Sequence, residues 1–182
     1  LLIEADNYKL LNLNDCPFNL TNKSLKKNII GTHEIDFLLV GYAGAGAFPQ
    51  CFEINGQKNE KANNKELFFK NQAVNYIKLI KPKYFLPFAG TYILGGKFFE
   101  LNKLRGIPKI QDAIKYINNT LKTLDIQSKG ILLNSYSWFD LKKGEQNSEF
   151  KEIDPYELKT YFKKIKNVKM DYEDDKLPTL TE

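Results

Sequence analysis

Asp15 is the residue whose type and position most suggest chemistry. It follows an apolar stretch, residues 8–13, and Asn12, Asn14 and Cys16 surround it. A carboxylate at the end of a strand can point into a cleft and ligate a metal ion. The competing interpretation is a turn in which an Asx side chain closes the end of the strand, and the residues alone favour that turn.

A glycine-rich loop, residues 41–49, follows the most apolar stretch of the chain, residues 35–42. Such a stretch is typical of a buried central strand, and α/β proteins place ligands at the loop that follows it. Glycines allow close backbone approach, and their N–H groups can bind an anion. No Gly-Lys-Ser/Thr follows, and Phe48-Pro49 replaces the helix start of a dinucleotide fingerprint. A plain tight turn remains the alternative.

Other reactive residue types are scarce. His33 is the only histidine; one histidine does not make a zinc site of the usual kind, and no spacing supports a Ser-His-Asp set. Cys16 and Cys51 form no CxxC pair, which favours a reducing cytoplasm. No feature of the sequence places a base beside Cys16, so we interpret it as a structural thiol rather than a nucleophile.

Composition indicates one domain with a hydrophobic core, covering residues 1–182. The net charge is +5, spread along the chain. This slight excess favours an anionic small molecule as ligand, and without a dense basic patch we expect no nucleic-acid partner. No apolar run reaches membrane-spanning length and no signal peptide is visible, so we expect no membrane partner. The oligomeric state is not indicated.

Apolar periodicity predicts an α/β fold. The Leu1-Leu2-Ile3 start already has the character of a strand, so we expect the natural protein to begin earlier. A strand, a long helix and a second strand in succession predict a right-handed parallel crossover. The predicted elements are a hairpin of residues 1–5 and 8–13, a helix of 23–30 capped by Thr21 or Asn22, strands of 35–42, 84–88 and 131–134, and helices of 64–80, 110–124 and 155–165.

Three segments in register carry a family resemblance: LNLNDC ending at Cys16, residues 36–49 with their Tyr-Ala-Gly core, and KPKYFLPFAG ending at Gly90. With them the chain resembles the C-terminal part of the metallo-β-lactamase fold, and within it the CMP-N-acetylneuraminate hydroxylase group. The resemblance covers roughly the first hundred residues. It implies an αββα sandwich, of which this chain is the C-terminal portion with a mixed sheet.

The resemblance also implies a metal site. Asp15 matches a family aspartate that ligates metal, so the implied cofactor is zinc or iron. The family's His-x-His-x-Asp-His cluster is absent here, and most ligands would lie outside this segment. The residues implied to line a substrate pocket are Tyr42, Gly44, Gly46, Phe48, Phe88, Ala89 and Gly90.

Two departures from the family pattern bear on the reaction. Phe88-Ala89 stands where the fold usually has its last histidine, which favours the hydroxylase-like group over ordinary hydrolases. A Rieske centre needs two Cys and two His, so one would have to lie outside this chain or be absent.

Three functional hypotheses remain open. The first is a segment of a metal-dependent hydrolase or hydroxylase that acts on a sugar or nucleotide-sugar derivative. The second is a non-catalytic binding module that kept the fold and lost the metal. The third is an unrelated doubly wound α/β domain, which would have a purely parallel sheet.

Overall fold

The computed structural model describes residues 1–88, 90–169 and 171. Its strands are β1 (Leu2–Ala5), β2 (Tyr8–Asn12), β3 (Phe37–Gly41), β4 (Tyr84–Phe88), β5 (Lys129–Gly130), β6 (Phe139–Asp140) and β7 (Glu145–Gln146). Its α-helices are α1 (Phe18–Asn28), α2 (Lys58–Ile80), α3 (Ile110–Thr123) and α4 (Pro155–Lys166), and a 3₁₀ segment covers Gly96–Leu104. None of these described helices is long and apolar enough to cross a membrane.

The main sheet is mixed, in the order β1-β2-β3-β4-β5. The first pair is antiparallel, and the three pairs that follow are parallel. Asp6 and Asn7 have φ of 49° and 66°, the left-handed region that tight hairpin turns require of both central residues. The predicted hairpin and α/β class are therefore confirmed, and the hypothesis of a purely parallel sheet is wrong.

All three crossover helices pack on one face of this sheet. Because β2 to β5 lie in chain order and parallel crossovers are right-handed, each connection returns over the same side. Leu38, Val40 and Phe85 point into that layer with no measurable exposure. They meet Ile77 of α2 and Ile117 of α3, also fully buried. This layer is the main core and holds the strand ends in place.

The opposite face of the sheet has a smaller apolar cluster. Phe37 and Tyr84 pack there against Phe139 of the β6–β7 hairpin, with ring centroids 5.6 and 4.8 Å from Phe139. Leu39 and Leu86 on this face are only partly buried. In the part of the chain that the structure describes, the second sheet is this two-stranded hairpin, so the αββα sandwich stays a prediction.

Three elements differ from the sequence prediction by more than two residues at one end. Helix α1 begins at Phe18, directly after Pro17, so the predicted cap at Thr21 or Asn22 is wrong. Its early start is stabilised by tertiary contacts, since the Phe18 amide donates to Gln72 Oε1 at 3.1 Å and its ring packs on Tyr76. Helix α2 also begins earlier, at Lys58 rather than Asn64. Strand β5 is two residues long and lies just before the predicted strand of residues 131–134.

Candidate functional site

The ends of strands β2, β3 and β4 meet at the carboxyl edge of the sheet. The Leu13 amide donates to the Leu39 carbonyl at 3.1 Å, which extends the β2–β3 ladder. A Cβ placed on Gly41 would lie 2.9 Å from the Asn14 carbonyl oxygen, and one on Gly90 would lie 2.4 Å from the Tyr42 ring. Glycine is therefore required at both positions, because a side chain there would clash with the neighbouring segment. The three segments that carry the family resemblance are in contact at this edge.

Asp15 lies in the turn after β2, on the surface. The Asx bond that shapes this turn comes from Asn12, whose Oδ1 accepts from the Asn14 amide at 2.9 Å. Tyr76 anchors the next residue by donating to the Cys16 carbonyl at 2.7 Å. The Asp15 carboxylate is exposed and forms no hydrogen bond or ion pair with the described residues. The backbone around Asp15 is held in place, and the carboxylate accepts no hydrogen bond from the described residues.

The described residues do not form a metal site by themselves. Among residues 1–88, 90–169 and 171, no group of three His, Cys, Asp or Glu side chains is close enough to hold an ion. Structural zinc sites need four ligands and catalytic ones need three. Asp15 fits a metal centre only as one ligand among others that these residues do not supply.

The first residues of the glycine loop serve packing. Tyr42 is 3% exposed, and burial raises the pKa of its hydroxyl. Ala43 joins a small apolar cluster with Ala113. A Cβ on Gly44 would overlap the Phe69 ring at 2.1 Å. Of the predicted pocket residues in this loop, only Gly46 and Phe48 are exposed.

The segment after β4 lies beside this loop. Phe88 pairs with Gly41 in the parallel register and is partly buried. Gly90 is also partly buried and abuts Tyr42. Ala89 lies outside the described residues.

Four side chains that the sequence analysis did not single out converge on the exposed part of the loop. We call Gln50, Lys65, Tyr92 and Arg105 the basic cluster. The Gly46 carbonyl accepts from Gln50 Nε2 at 2.8 Å, from Lys65 Nζ at 3.2 Å and from the Tyr92 hydroxyl at 3.2 Å. Gln50 Nε2 also donates to the Tyr92 hydroxyl at 2.8 Å, and Lys65 Nζ to the Phe48 carbonyl at 2.8 Å.

Arg105 completes the cluster. Its guanidinium carbon lies 5.3 Å from the Tyr92 ring centroid, a cation–π arrangement. Its Nε donates to the Asn102 carbonyl at 3.0 Å, whereas its Nη1 is buried without a partner. Gln50 is 2% exposed, and its Oε1 is likewise buried and unpaired. Native structures rarely leave such atoms unsatisfied.

The basic cluster contains two cations, Lys65 and Arg105, that lie near each other. Burial, and then the charge of Arg105, lower the pKa of Lys65, and the Cys51 thiol acts in the opposite direction. Burial lowers the pKa of Arg105 and raises that of Tyr92. Neither cation forms an ion pair with a carboxylate of residues 1–88, 90–169 and 171. The cluster therefore carries two positive charges without an acidic counterpart.

Gly106 allows the chain to bring Arg105 close to Lys65. Its φ is +63°, and a Cβ there would lie 2.5 Å from the Ala62 carbonyl oxygen and 3.1 Å from Lys65 Cβ. Only glycine allows both this backbone conformation and this approach to α2. The chain leaving the 3₁₀ segment is thereby brought against the α2 turn that carries Lys65.

Residue spacing does not reveal the basic cluster, because its members are up to 55 positions apart and come from four segments. One signal was available. Arg105 is the only arginine in a chain whose other basic residues are lysines. Arginine offers a rigid five-donor fork that lysine lacks, so a lone arginine in such a composition indicates a specific role.

Two open grooves lie away from this edge. One, of about 720 Å³, is lined by residues of the β1–β2 hairpin and by Asp140, Leu141 and Lys142. The other, of about 690 Å³, lies around the end of α3 and the start of β5. Neither groove includes the buried unpaired atoms, which belong to Gln50 and Arg105. The unmet hydrogen-bonding capacity therefore identifies the basic cluster, rather than these two grooves, as the better candidate site.

Comparisons of the chain with family models, with curated proteins and with solved structures give no match.

Proposed function

We propose that the protein acts at the carboxyl edge of its sheet, as the C-terminal part of a metal-dependent enzyme of the metallo-β-lactamase superfamily. Its substrate would be a sugar or nucleotide-sugar derivative in the cytoplasm. The observation that supports this proposal is the contact between the three resembling segments, in which Asn14 abuts Gly41 and Tyr42 abuts Gly90. Ligand sites of open α/β sheets lie at the carboxyl ends of the strands.

In this proposal Asp15 contributes one carboxylate oxygen to a zinc or iron ion. The remaining ligands would come from outside these residues, since the described part of the chain offers no cluster of three. A bound metal of this kind polarises substrate oxygens or activates water or dioxygen. The exposed Phe48 side chain and the partly buried Phe88 and Gly90 would form a wall of the substrate pocket.

Metal content tests this proposal on the protein as its gene encodes it. We expect stoichiometric zinc or iron in the purified wild type and less than about half of it in Asp15→Asn, because one ligand is weakened. Asp125→Asn is the matched control. It changes another exposed aspartate, with φ of 53° that asparagine tolerates, and should leave the metal content unchanged.

Two results would count against the metal proposal: a wild type that contains no stoichiometric metal, or an Asp15→Asn variant that retains all of it.

The second candidate is a binding module that works without metal. The basic cluster favours it, because two cations that have no acidic partner in the described part of the chain can hold an anionic ligand electrostatically. Binding of an anionic ligand that survives complete removal of metal by a chelator, in a protein without turnover, would support the module. Loss of binding together with the metal would support the enzyme.

A further inference from the structure

We infer that the basic cluster is a binding site for a tetrahedral dianion of the phosphate type. This inference goes beyond the proposed metal-dependent activity and names the ligand class of the second candidate, the binding module. None of the four residues belongs to the segments that resemble the metallo-β-lactamase fold, and the site requires no metal. The ligand is free phosphate or the phosphate group of a small molecule, and the two sources share the chemistry described below.

Charge is the first argument. Arg105 lies close enough to Lys65 for its charge to lower the pKa of that lysine, and neither cation has a carboxylate partner among the described residues. Burying charge without a counter-charge is unfavourable. A dianion balances both charges, whereas a carboxylate would balance only one.

Free donors are the second argument. A lysine ammonium has three N–H groups and an arginine guanidinium has five. Lys65 donates to the Gly46 and Phe48 carbonyls, and Arg105 donates through Nε to Asn102. One N–H of Lys65 and the two N–H groups of Arg105 Nη2 thus have no partner among the described residues and remain for an oxyanion, whereas Arg105 Nη1 is buried. Charge-assisted bonds to phosphate oxygens are the strong use of such donors.

Gln50 supplies the third argument, through an orientation that the hydrogen bonds fix. The Gly46 carbonyl can only accept, so the amide atom 2.8 Å away from it must be the nitrogen. Oε1 is therefore the atom left buried without a donor. A hydrogen phosphate, or a hydroxyl beside a phosphate ester, brings both acceptor oxygens and a donor. Both this oxygen and Arg105 Nη1 are buried, so a phosphate satisfies them only when the side chains that cover them move aside.

Access is the last requirement. Lys65, Tyr92 and Arg105 are all partly exposed, and Gly46 to Phe48 are exposed. An ion from solvent can therefore reach the cations. Phe48 and Phe52 are both exposed, with ring centroids 5.7 Å apart, and offer an apolar surface to the remainder of a phosphorylated molecule.

Calorimetric titration of the 182-residue chain tests the site, with inorganic phosphate, glycerol phosphate and acetate as probes. We expect saturable phosphate binding with a Kd below about 10 mM and no saturable acetate binding in that range. Lys65→Met should weaken phosphate binding about tenfold or more, because it removes a charge-assisted bond. Lys78→Met removes the same charge from an exposed part of α2 and should bind like the wild type.

Arg105→Lys serves as a second variant, since it keeps the charge and loses the fork, and it should also weaken phosphate at least several-fold. Phosphate should raise the Tm of the wild type and of Lys78→Met, but not that of Lys65→Met. Tighter binding of glycerol phosphate than of phosphate would identify a phosphorylated small molecule as the ligand, and the reverse would identify free phosphate.

The inference is overturned if neither phosphate compound binds by about 10 mM, if acetate binds as tightly, or if Lys78→Met loses as much affinity as Lys65→Met. None of these outcomes depends on metal content, so the inference and the proposed metal-dependent activity fail or stand separately.

Discussion

The turn after β2 and the loop after β3 lie at the same edge of the sheet, yet they are built differently. The turn presents Asp15 to solvent without a partner among the described residues, and its backbone is shaped by Asn12 and anchored by Tyr76. The loop is held by side chains from α2 and from the segments after β4, which converge on the Gly46 carbonyl. Asp15, which the sequence motif indicates, is therefore not part of the basic cluster. The positive charge at this edge comes from Lys65 and Arg105, which are distant from Asp15 in the sequence.

Gly106→Ala should have the largest effect on this arrangement. The substitution combines the strain of a positive φ with a clash against the Ala62 carbonyl, and should cost about 2–4 kcal/mol in unfolding free energy. Phosphate binding should fall with it, because Arg105 would be displaced. Gly56→Ala is the control, since its φ is +66° with nothing within 4 Å, and it should cost only about 1 kcal/mol. Equal costs measured by urea unfolding would show that close approach is unimportant here.

Raising the pH should weaken phosphate binding next most strongly, by about tenfold, which corresponds to about 1.4 kcal/mol. Binding requires protonated Lys65, and burial together with Arg105 lowers the pKa of that lysine. Affinity should therefore be full at neutral pH and fall at a pH below the ordinary lysine range. Burial raises the pKa of Tyr92, so its hydroxyl loses the proton at a higher pH than an ordinary tyrosine does. The same pH profile measured in Cys51→Ser shows how much the thiol contributes. Affinity that stays constant until the ordinary lysine range would contradict the role of Lys65.

Tyr92→Phe should have a smaller effect, about 1 kcal/mol of stability. It removes the hydroxyl that accepts from Gln50 and donates to Gly46, while the ring under Arg105 remains. Thermal unfolding measures the loss. Tyr161→Phe, a change at an exposed tyrosine of α4, should leave the stability unaltered, and the same loss in both variants would argue against the cluster bonds.

Asp15→Ala should change the unfolding free energy of the 182-residue chain least, by less than about 0.5 kcal/mol. Its carboxylate is exposed and bonds to none of the described residues. A loss above about 1 kcal/mol in urea unfolding would mean that Asp15 has a structural role. The contrast between the turn after β2 and the loop after β3 would then be wrong.

Strong local patterns predicted much of the fold. The apolar run over β3, the strand Tyr84–Phe88 and the stripe of α3 were correctly located, because buried strands and amphipathic helices leave a periodic signal. Helix starts were missed where tertiary contacts decide, as at Phe18, whose amide bonds to Gln72. The 3₁₀ segment had no recognisable pattern.

The candidate site was predicted only in outline. The glycine loop and its place at a strand end follow from the sequence, and so does the expectation of an anionic ligand. The donors do not. We expected backbone N–H groups of the loop to meet the anion, whereas the structure directs Lys65 to the carbonyls of that loop and places Arg105 beside it. Contacts between segments tens of residues apart leave no local trace.

The chain-order arrangement of the strands has a consequence for folding. From β2 to β5, each strand pairs with the strand that precedes it in the chain. No strand therefore has to insert between two strands that are already paired. The entropy of closing each loop rises only slowly with its length, and the longest of these crossovers contains the 23-residue helix α2. The sheet can therefore assemble by successive addition of strands at an open edge.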